Sequence, residues 1–150
     1  VLFVCLGNIC RSPLAEAALR AAAGRAGLEL VIDSAGTGDW HVGAAPDPRA
    51  QAVARAKGLD IAELRARQVE PVDFHRFDQV VALDHDNYRV LARLRPADAT
   101  AELSLLLDHV PGRAGEAVAD PYFGGADGFE VTWADVTAGA EGLLDRLARG

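Results

Sequence analysis

The sequence predicts an α/β domain: a four-stranded parallel sheet with helices on both faces, in a three-layer, Rossmann-like arrangement. Three observations carry this. Short apolar runs and helix-period segments follow the order strand, helix, strand, loop, helix, strand, helix, strand, helix, and such alternation marks a parallel sheet. The strand candidates are almost continuously apolar, as strands covered on both faces are. The chain has 150 residues, which suits one core, so residues 1–150 are expected to form one domain.

Val1 to Cys5 (VLFVC) is the first strand candidate. Ser12-Pro13 then opens a helix, with serine as a cap and proline at the first helical position. Alanine-rich sequence carries this helix to about Gly27. Leu28 to Asp33 (LELVID) is the second strand candidate. Ser34 to Pro48 is a loop rich in glycine and proline, of a length often tied to function. Asp47-Pro48 repeats the cap-then-proline signature and starts a helix that ends near Gly58. Phe77 to Leu83 (FDQVVAL) is the third strand candidate. Asp84 is placed to cap the next helix, which sets Tyr88, Leu91 and Leu94 on one side and stops before Pro96. Ala101 to Leu107 is the fourth strand candidate, and Val110 to Ala126 is irregular. Asp127 and Glu130 have capping-box spacing. The helix they open carries Phe129, Trp133, Val136, Ala140, Leu143, Leu144 and Leu147 at helical period.

Composition excludes several function classes. Half of the residues are hydrophobic and a quarter charged, which is ordinary for a globular chain. The formal net charge of -7 argues against nucleic acid or an anionic membrane as a partner. No apolar run approaches a membrane span. Val1 to Val4 is apolar but lacks the flanks of a signal peptide, so a cytoplasmic location is expected. Two cysteines make no disulfide framework. No further ligand stands near them, so no metal site is expected. His41, His75, His85 and His109 are scattered without ligand spacing and are expected at surface or edge positions.

The chemistry concentrates in VCLGNICRSP, residues 4–13. Cys5 to Arg11 is a turn between strand and helix, at the carboxyl end of a strand, where parallel sheets bind ligands. The N–H groups of Leu6, Gly7, Asn8, Ile9, Cys10 and Arg11 can point inward and, with the helix amino end, form an anion nest. Gly7 permits unusual backbone geometry, and Asn8 tolerates the left-handed region. Arg11 adds a planar fork suited to two phosphate oxygens. Cys5 lies at the floor, where those dipoles and the Arg11 charge favour the nucleophilic thiolate. Attack on a bound phosphate would give a cysteinyl-phosphate that water hydrolyses. Ser12 either donates to the Cys5 sulfur or caps the helix, and the two roles are compatible.

VLFVCLGNICRSPLAEA resembles the signature of the low-molecular-weight protein tyrosine phosphatases. The likeness extends to DSAGTGDWHVGAAPDPRA and to DPYFGG, Asp120 to Gly125. It implies the four-stranded parallel sheet, no cofactor, and phosphotyrosine-containing proteins as substrates, with inhibition by phosphate-like oxyanions. Protonating the leaving phenoxide needs a general acid, and the resemblance assigns that role to Asp120, with Pro121 stiffening its loop. Asp84 matches another recurring acid of the family, taken here as loop support or a cap. Ile9, Trp40, Tyr122 and Phe123 are the substrate-binding candidates lining a slot for a phenyl ring. For Trp40 the alternative is a core position. Asn8, Ser12 and Cys10 are the support candidates. Better-known members carry a histidine where Leu64 stands, and that histidine supports the motif asparagine. Here Asn8 needs another partner.

Cys10 is either a small buried filler or a redox guard that traps an oxidised Cys5 as a disulfide. The rival enzymes with this loop are an arsenate reductase, whose cysteine relay has no residue here beyond Cys10, and a protein-arginine phosphatase, which carries a small polar residue where Ile9 stands. A non-enzymatic phosphopeptide-binding module needs the nest but neither Cys5 nor Asp120. A monomer or weak dimer is expected.

Overall fold

Strands β1 (Leu2–Cys5), β2 (Asp33–Gly36), β3 (Gln79–Ala82) and β4 (Glu102–Leu105) form one parallel sheet in the spatial order β2-β1-β3-β4. The computed structural model describes the backbone of residues 1–150 and every side chain but that of Ala126. The helices are α1 (Arg11–Ala26), α2 (Pro48–Ala56), a single turn α3 (Asp73–Arg76), α4 (His85–Leu94) and α5 (Ala126–Arg149), with a 3-10 turn at Leu106–His109.

The two-residue period of the strands divides the core between the faces. Phe3 and Cys5 of β1, with Val81, pack with Leu14 and Leu19 of α1 and Phe129, Val136 and Leu143 of α5. Leu2, Val4, Val80 and Ala82 point the other way, onto Phe74 of α3 and Leu91 of α4. Each fully buried large side chain contributes about 1.5–3 kcal/mol of hydrophobic stabilisation, which is why β1 and residues 80–82 of β3 are wholly apolar. Gly142 lets α5 close on the 3-10 turn, since a Cβ there would lie 2.0 Å from the His109 carbonyl oxygen.

Most expected elements form, with corrections. The second strand is Asp33–Gly36, not Leu28 to Asp33. The register Leu2↔Asp33 to Cys5↔Gly36 sets small residues beside β1. Gly36 needs its size, because a Cβ would meet Leu6 O at 2.8 Å. Asp127 and Glu130 make no capping box: Gly125 is the α5 N-cap, without a side-chain cap bond. In α4 Leu91 is buried but Tyr88 is exposed, and Asn87 takes the second buried place. Asp47 caps α2 by accepting the Arg49 N–H at 2.8 Å, as expected.

The chain runs outward from β1 in two directions, to β2 on one side and β3 on the other. The carboxyl end of β1 is therefore a topological switch point, the usual ligand crevice of such sheets. Cys5 is its last residue.

Candidate active site

The turn after β1 is held from outside by its carbonyls. Cys5 O and Leu6 O accept from Thr37 N and Gly38 N, both at 2.9 Å, and Ile9 O accepts from Asp47 N at 2.8 Å. The N–H groups of Gly7 to Arg11 have no protein acceptor among the described residues. Outward carbonyls and unpaired N–H groups are the polarity of an anion nest. Asn8 makes the bend possible with φ 58, the only non-glycine residue at positive φ among those described.

Asn8 is secured on three sides. Its Oδ1 accepts the Arg67 N–H at 3.0 Å, which fixes the amide orientation. Its Nδ2 then donates to Ser12 Oγ at 2.8 Å and Ser34 Oγ at 3.0 Å. Ser34 passes its own proton to Glu16 Oε1 at 2.7 Å, and Arg20 donates twice to Glu16 Oε2. Ser12 Oγ, already accepting from Asn8, has its proton left for Cys5 Sγ at 3.0 Å. Leu64, which occupies the histidine position, packs half-buried against the core. The hydroxyl of Ser34 and the backbone of Arg67 hold Asn8 in its place. Ser12 is not the helix cap: Cys10 is the N-cap residue, and it makes no side-chain cap bond.

Arg11 is buried with its Nη1 on Asp84 Oδ2 at 2.7 Å and Val118 O at 2.9 Å. Its Nη2 lies 3.6 Å from Asp120 Oδ2. Burial disfavours the charged guanidinium, but Cys5 and Asp84 more than offset this, and the net shift is upward. Asp84 also accepts the Asn87 N–H at 2.8 Å, so the loop-support and cap readings both hold. Burial, then the Asp47 charge, push the Cys10 thiol up to about 12.

Cys5, Leu6, Gly7, Ile9, Cys10 and Arg11 line a cleft of about 170 Å³ whose walls are Trp40, His41, Asp120, Tyr122 and Phe123. The expected site residues thus meet, except that Asn8 and Ser12 stand behind the loop. Trp40 is 69% exposed and is no core residue. Its indole folds back over Gly38. His41, expected at the surface, belongs to the wall, 6.3 Å from the Tyr122 ring. A wider hollow of about 560 Å³ lies beside Ser104, His109 and Arg146. Arg146 there is already paired with Glu102, and no cysteine lines it. Cys5, Arg11 and Asp120 line the smaller cleft. Among the described residues no cluster suited to a metal occurs, and no helix is long and apolar enough to cross a membrane.

Comparison with known proteins agrees with this geometry. A family model described as low molecular weight phosphotyrosine protein phosphatase matches residues 1–150. The low molecular weight protein-tyrosine-phosphatase of Streptomyces coelicolor is 49% identical over 149 residues, covering 96% of this chain and 90% of that protein. The low molecular weight phosphotyrosine protein phosphatase of Schizosaccharomyces pombe is 42% identical over 151 residues, covering 99% of this chain and 96% of that one. The crystal structure of a protein tyrosine phosphatase from Entamoeba histolytica matches with a TM-score of 0.93 at 35% identity, covering 99% of this chain and 96% of that one.

Proposed function

This chain belongs to the low molecular weight phosphotyrosine protein phosphatase family, and from that premise we propose that Cys5, Arg11 and Asp120 hydrolyse phosphotyrosine in protein substrates. The phosphate sits on the N–H groups of Gly7 to Arg11 and on the Arg11 fork. The Cys5 sulfur attacks phosphorus in line. The bond to the phenolic oxygen breaks, and Asp120 gives that oxygen its proton. Asp120, now a carboxylate, takes a proton from water whose oxygen attacks the cysteinyl-phosphate. The S–P bond breaks, the Ser12 proton stabilises the departing thiolate, and inorganic phosphate leaves.

The observation that carries this reading is convergence. Residues from positions 5, 11 and 120 line one cleft, with the Ser12 proton aimed at the sulfur. The aromatic walls and the buried Ile9 favour a phenyl ring over a guanidinium group. No cysteine follows Cys10, which removes the relay an arsenate reductase needs.

Cys10 is assigned the guard role. After peroxide oxidation, the Cys5 sulfenic acid condenses with the Cys10 thiol to a disulfide and water. Equal recovery of activity by wild type and Cys10→Ser after peroxide and then thiol would reject this role. A cytoplasmic location is part of the proposal. The active unit is a monomer, with exposed Trp40 and Phe123 available for weak self-association.

The test is p-nitrophenyl phosphate turnover at mildly acidic pH. Hydrolysis is expected without added metal, blocked by vanadate and abolished by Cys5→Ser. Asp120→Asn should slow release of poor leaving groups most. Activity that survives Cys5→Ser, or that requires added metal, would overturn the reading.

A further inference from the structure

The segment that carries Asp120 has little of its own to hold it. Pro121 is buried, but Tyr122 to Gly125 are exposed and Phe123 is 95% exposed, so no apolar anchor follows the proline. Its internal hydrogen bonds are two: Tyr122 N to Asp120 Oδ1 and Gly124 N to Pro121 O, both 3.0 Å. A general acid on such a segment needs fixing from outside, because a misplacement of about 1 Å can cost roughly 100-fold in rate.

One side chain supplies that hold. Arg49, in the first turn of α2, donates from Nη2 to Tyr122 O at 2.9 Å and from Nη1 to Gly124 O at 3.3 Å. The same guanidinium lies 5.6 Å from the Tyr122 ring centroid and 4.7 Å from that of Phe129 in α5. It is itself fixed by Asp47, whose carboxylate takes Nε at 3.0 Å and Nη2 at 2.9 Å in a two-point grip. The Asp47 N–H bonds Ile9 O at 2.8 Å. A continuous path therefore runs from the phosphate loop through Asp47 and Arg49 to the Asp120 segment.

We propose that Arg49 is a positioning residue: it latches the Asp120 segment to the start of α2, at a set distance from the phosphate loop. This rests on Asp120 being the general acid. The Arg49–Asp47 pair is partly exposed, 40% at the Arg49 side chain and 10% at Asp47, so its contribution to stability is modest and the main effect falls on protonation of the leaving group. Lysine cannot replace Arg49, since a single ammonium does not span the Asp47 carboxylate and two carbonyls together.

The experiment compares wild type, Arg49→Ala, Arg49→Lys, Asp120→Asn and Arg49→Ala/Asp120→Asn on aryl phosphates of graded leaving-group pKa. Removing the acid should cost ~10²–10⁴-fold on poor leaving groups. Both Arg49 variants should lose roughly tenfold or more on phenyl phosphate, within the ~100-fold that misplacement can cost. On strongly activated, fluorinated leaving groups they should stay close to wild type. Vanadate inhibition and Cys5 alkylation should be unchanged, and the double variant should lose no more than Asp120→Asn alone. A uniform loss across leaving groups, no loss, or a double variant whose losses multiply would overturn the latch. If Asp120→Asn shows no selective loss, the acid assignment falls and the latch with it. Selective loss in Asp120→Asn alone sinks only the latch. If Arg49→Ala does not fold, Arg49→Lys carries the same comparison.

Discussion

Asp84 joins Arg11 to a helix start: its Oδ2 accepts from Arg11 Nη1 at 2.7 Å while its Oδ1 accepts the Asn87 N–H at 2.8 Å. One carboxylate thus caps α4 and orients the guanidinium proposed to hold the substrate phosphate. Asparagine caps as well as aspartate, so Asp84→Asn separates the two tasks. Losing a hydrogen bond to a charged group costs about 1.5–3 kcal/mol, so kcat/KM should fall roughly tenfold or more. Asp84→Ala should lose about 1 kcal/mol of further stability with the cap. Steady-state kinetics and urea unfolding of the two variants check this. A fully active Asp84→Asn would show that Val118 O alone orients Arg11.

The direction of the Ser12 proton gives a second prediction. It points at Cys5 because Asn8 Nδ2 already fills the Ser12 acceptor site. Ser12→Ala should therefore slow the second step, when the sulfur leaves, more than the first. Losing one bond to a developing thiolate, about 1.5–3 kcal/mol, corresponds to roughly 10–100-fold. Rapid mixing should then show a burst of phenol followed by slow turnover. A loss with no burst would place the role of Ser12 before the cysteinyl-phosphate.

The third prediction concerns the fold behind the loop. Arg67 grips Asp73 with Nη1 at 3.1 Å and Nη2 at 3.2 Å, and Asp33 with Nε at 3.1 Å, while its backbone N–H holds Asn8. Asp73 is completely buried. Removing one partner of a fully buried pair costs about 3–5 kcal/mol, but here the Arg67 side chain is 30% exposed and both the Glu70 N–H, at 2.8 Å, and Arg76, at 3.7 Å, remain with Asp73, so the loss should fall below that range. Arg67→Ala should be markedly less stable yet retain near-normal kcat where folded, because the bond to Asn8 is backbone. Melting curves beside kinetics at low temperature test the split. A kcat loss matching that of an Asn8 variant would refute it.

These residues also show what the sequence made legible. The loop, Cys5 as its proposed nucleophile and Arg11 lie within residues 4–13, so one strand–turn–helix motif was enough to point to them. Asp120 needed a resemblance, because an aspartate in an irregular stretch is an ordinary turn residue. The backing of Asn8 was hidden for physical reasons. Glu16 and Arg20 have the spacing of a solvent-exposed helix pair, yet Glu16 is 1% exposed because the Ser34 hydroxyl and Arg20 satisfy it. Arg67 contributes a backbone N–H, which no side-chain pattern encodes. The second strand was displaced because Leu28 to Ile32 is an apolar run broken only by Glu29, like a strand covered on both faces, while the stretch that pairs, Asp33–Gly36, is made of small and polar residues that accommodate the loop. His41 carried no ligand spacing and joins the cleft only through the fold.

The last prediction follows from Cys10. Burial and Asp47 raise its folded-state pKa from an ordinary 9.0 to about 12. The unfolded chain therefore releases this proton first as pH rises. Below pH 9 both states hold it, and Cys10 places no pH dependence on stability. Between pH 9 and 12 the folded state binds more protons than the unfolded state, so stability falls with pH, by at most about 1.4 kcal/mol per unit. Replacing Cys10 by alanine should flatten this part of the stability–pH curve relative to wild type. At neutral pH the buried thiol should also resist alkylation in the native protein, so iodoacetate should label Cys5 and leave Cys10 until the chain is denatured. Urea unfolding from pH 8 to 11 and mass mapping of the alkylated peptides measure the two effects. Parallel curves for wild type and Cys10→Ala, or native labelling of Cys10 at a rate comparable to Cys5, would contradict a thiol held protonated by its surroundings.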